Sequence, residues 1–225
     1  MRSVARVRGI ERLATSELVK LVAVADQIGI DPDNLAAVIS FESDGSFSPA
    51  KRNPSSGATG LIQFLPSTAA LLGTSTAELA RMSVARQLDF VRKYFEPYRG
   101  RVGTLERAYL AVFYPAAIDM GPDDVIASRG SKVYEQNAGF DRSNSGVIRR
   151  SDVTGAVRGV LSAASFRPRV DVPGAPEKWF ENLAILAAVG ATAYLAWTER
   201  DRLELVLARS RATVGRLLPR LHVTT

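Results

Sequence analysis

The chain contains no cysteine. That excludes disulfides and any thiolate nucleophile or ligand, without assigning a compartment. It also lacks an alternating polar and apolar run of useful length, so strands should be few and the domain mainly α. No cleavable export signal is legible either: MRSVARVRGIERLA is basic, but Lys20 interrupts the only nearby apolar candidate, Leu18 to Ala25. Charge of one sign is scarce through the middle of the chain. Of the formal +6, Met1 to Arg12 carries four arginines against one acid and Glu199 to Thr225 six against three, so each end holds +3. The balanced middle offers no basic stripe for a specific nucleic-acid partner. The ends read either as solvated tails or as contacts for anionic lipid, nucleic acid or acidic glycan.

What is present suffices for one domain with a real core plus appendages: 225 residues, 46% of them hydrophobic. Its informative stretch is Asp31 to Gln63, DPDNLAAVISFESDGSFSPAKRNPSSGATGLIQ. Asp31 is a suitable N-cap, Pro32 suits a first turn and Gly45 a stop, which predicts a helix from Pro32 to about Asp44. Leu35, Val38, Ile39 and Glu42 then share one face. A carboxyl on that apolar stripe, near the negative end of the helix dipole, is favoured in its protonated form, as a general acid requires. The plainer alternative is an edge residue, exposed or paired with an arginine.

The residues after Glu42 favour the first reading. Glu42-Ser43, Pro49, Asn53, Ser56-Gly57-Ala58 and Gly60-Leu61-Ile62-Gln63, with Pro66 and Thr68 beyond, resemble in order and spacing the soluble-type lytic transglycosylases of the lysozyme-like superfamily. Ile62 replaces the usual Met. The resemblance is clear from Asp31 to Leu72 and looser to Tyr114. It implies a lysozyme-like helical domain in which Glu42 is the acid and Ser43 and Gln63 orient the acid and the substrate acetamide. The family's third motif, Ala-Tyr-Asn-Ala-Gly, is represented only by Ala111-Val112-Phe113-Tyr114-Pro115-Ala116, so the aromatic role falls to Phe113 or Tyr114. Tyr114 is favoured because its hydroxyl could bond Glu42 or the sugar. Both rings as core is the alternative. Tyr134 is a further candidate, since tyrosine-bearing segments close the cleft in some phage-type relatives.

Around this region the periodicity stays helical. Glu17 to Ile28 is amphipathic and expected to pack on the catalytic helix. Pro66 starts a short helix to Leu72, Ser75 with Glu78 forms a capping box, Ser83 caps a helix ended by Pro97, and Thr104 caps one ended by Pro115. Asp141, Ser143, Ser145, Gly146, Ile148 and Asp152 fall on a calcium-loop template, but with too few anionic oxygens for tight binding. No metal and no cofactor are expected. Ser151 is expected to cap a last helix.

These signals divide the chain into a basic segment with a packing helix (1–30), a lysozyme-like domain (31–164), a proline-stiffened linker (165–178), an apolar helix (179–198) and a basic tail (199–225). No charge occurs from Asn182 to Thr198. Those residues would extend roughly 26 Å as a helix, close to a membrane span, and the alternative is a helix packed on partner proteins. Arginines after it would place the tail in the cytoplasm.

The expected function is cleavage of the bond between N-acetylmuramic acid and N-acetylglucosamine in peptidoglycan strands, with an anhydro product. A large domain before its only membrane segment, without an export signal, suits delivery from a phage virion to the host envelope, in company with other virion proteins. A bacterial membrane-anchored enzyme is the alternative location. Rival functions are a goose-type lysozyme, which needs a second carboxylate such as Asp89 or Asp119, since helical spacing points Asp44 away from Glu42, and a non-catalytic structural protein of a virion.

Overall fold

The computed structural model describes residues 2–164 and 169–173. The chain starts with a short strand β1 (Arg2–Val4), a 3-10 turn (Ile10–Arg12) and helix α1 (Thr15–Ile28). Helix α2 (Pro32–Glu42) follows, and its N-cap works as expected: the Asp31 carboxylate accepts the Asp33 N–H at 2.8 Å. A long turn-rich loop leads to α3 (Pro66–Leu71), α4 (Thr76–Leu79), α5 (Val84–Phe95) and α6 (Leu105–Phe113). Ser75 and Glu78 form the capping box at α4, and the Ser83 and Thr104 hydroxyls accept N–H groups of Arg86 and Arg107 at α5 and α6.

The remaining elements are β2 (Val125–Ser128), α7 (Lys132–Asn137), β3 (Val147–Arg149), α8 (Arg150–Ala164) and β4 (Val170–Val172). The domain is mainly helical, as the sequence predicts. Its two antiparallel ribbons were not legible because their strands are three or four residues long. One of them, β1 with β4, lies partly in the predicted linker, pairing Arg2 with Val172 and Val4 with Val170. Arg169 clamps this ribbon to α2: its guanidinium meets both Asp33 oxygens at 2.8 Å and donates to the Ser3 carbonyl oxygen at 2.9 Å. The first thirty residues are therefore part of the same body, not an appendage.

Helix α8 also departs from expectation. It begins at Arg150, and Ser151 lies inside it; the cap comes from Asp152, whose carboxylate accepts the Arg149 N–H at 2.8 Å. Of the predicted segments, the apolar helix 179–198 and the basic tail 199–225 lie outside the described residues. Among the described residues, no helix is long and apolar enough to cross a membrane.

Helix α2 is the hub. It packs against α1, α6 and α8, and Leu35, Ala36, Ala37, Val38 and Ile39 are all fully buried. From Leu35 to Ser40 the helix is thus covered on every side, instead of presenting a single stripe. Each large aliphatic side chain so buried stabilises the fold by about 1.5–3 kcal/mol. The consequence for function is positional: after the buried stretch, the last turn of α2 opens again, and there Phe41 and Glu42 reach the cavity described below.

Candidate active site

Glu42 opens into a cavity of about 450 Å³. Protein atoms otherwise surround its carboxyl, and among the described residues it has no hydrogen-bond or ion-pair partner. Desolvation therefore pushes its pKa up to about 8. The group is mostly protonated at neutral pH. No other carboxylate lines the cavity among the described residues.

The floor beside Glu42 is aromatic. Phe41 meets the edge of Tyr109 with ring centres 5.0 Å apart, Tyr109 stacks on Phe113 at 6.0 Å, and Phe113 meets Phe140 at 5.2 Å. Such a row lines the cavity with apolar ring faces and edges. Tyr109 is 2% exposed, and its hydroxyl pKa is raised by burial and then by the charge of Glu42. That hydroxyl has no protein hydrogen-bond partner among the described residues, so it is available to a ligand.

Gln63 lines the same cavity. Its amide donates to the carbonyl oxygens of Gly60 at 3.0 Å and Lys51 at 3.2 Å, which fixes the side chain and leaves its oxygen without a protein donor among the described residues. The backbone at Gln63 has φ of +52°, a left-handed value that costs a non-glycine residue on the order of 1 kcal/mol. The tight hairpin between Thr59 and Phe64, with N–H to carbonyl distances of 3.0 and 2.9 Å, holds it there.

The other predicted residues lie elsewhere. Ser43 is fully buried outside the cavity, and its hydroxyl accepts the Phe47 N–H at 3.0 Å. It shapes the turn after α2, and among the described residues its hydroxyl makes no hydrogen bond to the Glu42 carboxyl. Tyr114 does not line the cavity. Pro115 forces the preceding residue into extended backbone, so Tyr114 leaves the helical face that Tyr109 and Phe113 share. Tyr134 is buried and does not line the cavity, and its hydroxyl donates to Asp141 at 2.8 Å.

Asp141 itself is a loop anchor. Burial pushes its carboxyl up, but donation from the Ser145 N–H, the Tyr134 hydroxyl, the Gly146 N–H and the Ser145 hydroxyl outweighs that, and the pKa falls well below the usual range. Both oxygens face donors from the protein, an arrangement that fits a hydrogen-bonded turn and not a cation. The anchored loop carries Phe140 and Asn137 to the cavity wall.

The rival carboxylates are engaged away from Glu42. Asp89 pairs with Lys20 at 2.6 Å across α1 and α5, and Asp119 with Arg101 at 2.5 Å and Arg107 at 3.2 Å. Asp44, in left-handed backbone, is bound by Arg8 and lies 3.9 Å from Lys51. The Arg8 hydrogen bond, then the charges of Arg8 and Lys51, hold its pKa low.

Sequence reasoning missed Tyr109, Lys51, Arg52 and Gln87. Tyr109 was visible as an aromatic four residues before Phe113, hence on its face. Gln87 was visible as a lone polar residue between Val84 and Val91 on the buried side of α5. It is fully buried, accepts the Leu61 N–H at 2.6 Å and donates to the carbonyl oxygens of Leu79 at 2.9 Å and Pro49 at 3.2 Å. No protein-family model matches the chain.

Proposed function

We propose that the chain is a peptidoglycan lytic transglycosylase with Glu42 as its acid and base. The observation that carries this reading is a single carboxyl, with a pKa of about 8 and no partner among the described residues, which is the only acid among them lining an aromatic-floored cavity. The order of motifs from Glu42 to Gln63 resembles that family and points the same way.

Glu42 gives its proton to the oxygen joining N-acetylmuramic acid to N-acetylglucosamine. The muramyl C1–O bond breaks as the muramyl acetamide oxygen bonds C1 from the other face, and the glucosamine end leaves as an alcohol. Glu42, now a carboxylate, removes the C6 hydroxyl proton. That oxygen displaces the acetamide from C1 and closes the anhydro ring, and the acid is restored without consuming water. Substrate assistance needs no carboxylate nucleophile, whereas ordinary retaining and inverting glycosidases use two carboxyl groups. The Gln63 oxygen is suited to hold the acetamide N–H, and the Tyr109 hydroxyl a sugar oxygen.

The Phe113-Tyr114-Pro115 segment resembles phage members of the family more than bacterial housekeeping ones. We accordingly assign the enzyme to a virion that opens the host wall, with the apolar segment 179–198 meeting the host membrane or neighbouring virion proteins. The test is release of soluble fragments from purified peptidoglycan by the full chain and by Glu42→Gln. Loss of release in a folded variant supports the reading. Equal release by both proteins contradicts it, and no release by a folded wild-type chain moves the weight to a structural shell.

A further inference from the structure

The segment between β1 and the first 3-10 turn runs beside α2 in the direction of the acid. The Ala5 N–H donates to the Asp33 carboxylate at 2.8 Å in the first turn of the helix, and the Arg8 carbonyl oxygen accepts the Ser40 hydroxyl at 2.8 Å near its end. Asp33 and Ser40 lie roughly 10 Å apart along the helix axis. The segment then reaches past Glu42. The Arg8 guanidinium binds the Asp44 carboxylate, and its Nε would lie 2.7 Å from a Cβ on Gly45. At the other end Arg169 fastens the segment, meeting both Asp33 oxygens at 2.8 Å and the Ser3 carbonyl oxygen at 2.9 Å.

Asp44, Gly45 and Phe47 have φ of +54°, +68° and +49°, so the chain leaves Glu42 through left-handed backbone. A non-glycine residue keeps such a conformation only where its surroundings hold it. The Ser43 hydroxyl holds Phe47 by its N–H, whereas the Asp44 side chain is held from outside the loop, by Arg8, with Lys51 farther off at 3.9 Å. The Glu42 carboxyl has no protein partner among the described residues, so its placement depends on the backbone around it. We propose that residues 5–9 are a strap that positions Glu42, with Arg8 as the positioning residue and Arg169 as the anchor. The inference rests on the acid role given to Glu42 above. It adds that the acid is held in place by contacts at both ends of α2.

The test compares the full chain with Arg8→Gln, Arg8→Lys and Arg169→Gln, and with Arg101→Gln as a control whose ion pair to Asp119 is not part of the strap. The first measurement is hydrogen exchange of the Ser43 and Gly45 amides, which donate to the Ile39 and Ser40 carbonyl oxygens at 2.9 and 2.7 Å. Exchange should be about tenfold faster in Arg8→Gln. It should also rise in Arg169→Gln, although that change is made at the far end of α2, and stay at the wild-type rate in Arg8→Lys and Arg101→Gln. Melting should barely move in Arg8→Gln, because Arg8 and Asp44 are both exposed. The second measurement is turnover of purified glycan strands. Displacing the acid without touching the substrate should lower kcat about tenfold in Arg8→Gln and leave KM within twofold, and Arg8→Lys should recover most of the loss. Wild-type exchange in both Gln variants overturns the strap. So does a change confined to KM, an unchanged kcat beside faster exchange, or a loss as large in Arg8→Lys as in Arg8→Gln. If the wild-type chain turns nothing over, the enzyme reading fails on its own, and exchange alone decides whether the strap holds the end of α2.

Discussion

Gln87 accepts the Leu61 N–H at 2.6 Å from inside the core, and this bond sets the position of the turn that presents Gln63. A Cβ on Gly60 would lie 2.3 Å from the Gln87 side-chain oxygen, so the turn rests directly on that amide. Replacing Gln87 with Leu strands the Leu61 N–H in the interior and takes a donor from the Pro49 and Leu79 carbonyl oxygens, of which Leu79 still accepts the Met82 N–H at 3.1 Å. The expected cost is about 2–4 kcal/mol, measured by chemical denaturation. Fragment release should fall further than stability explains at a temperature where the variant is still folded. A variant as stable and active as wild type would remove Gln87 from the account.

Tyr109→Phe isolates one hydroxyl. Since that hydroxyl has no hydrogen-bond partner among the described residues, removing it should leave the melting temperature unchanged or slightly raised. If the hydroxyl holds a sugar oxygen, kcat/KM for glycan should fall about tenfold, the worth of one well-placed hydrogen bond. Unchanged kinetics would leave the ring as wall only.

Glu42 should be costly to the fold at high pH. Its folded pKa of about 8 lies above the ordinary 4.5, so its stabilising proton is held in both states below about 4.5. From there to about pH 8 the unfolded chain ionises first, and stability declines with rising pH by up to ~1.4 kcal/mol per unit. Glu42→Gln should flatten this decline and be the more stable protein at pH 8–9, by up to about 5 kcal/mol. Activity of the wild type should fall as pH rises through about 8, where the acid loses its proton. Parallel stability curves for the two proteins would mean the carboxyl is not desolvated.

Gly9 fixes the N-terminal segment against the loop behind Glu42. Its φ is +87°, and an added Cβ would fall 1.7 Å from the Gly45 carbonyl oxygen, which is backbone and cannot swing aside. Gly9→Ala should cost at least ~2 kcal/mol. Activity should drop with it, since Arg8 and Gly45 shift together. Retention of full stability would show that the segment repacks freely.

The helices and most of their caps were legible because they rest on local chemistry: Asp31, Ser75, Ser83 and Thr104 each bond an N–H two or three residues away. The position of Glu42 was legible for the same reason. Less visible was whatever depends on distant partners. Ser43 faces Phe47 instead of the acid, a matter of how the turn closes. Tyr114 is turned away by Pro115, and Tyr134 is claimed by Asp141. The short ribbons escaped because β1 and β4 are more than 160 residues apart in sequence, as the Arg169 to Ser3 contact illustrates.

The central claim is that one acid, without a water-activating partner, closes an anhydro ring. It is tested by digesting purified peptidoglycan with the full chain in 18O-labelled water and weighing the released ends by mass spectrometry, beside Glu42→Gln. The account predicts anhydro-muramyl ends without label, absent in the variant. Labelled reducing ends would contradict it and would require a second carboxylate.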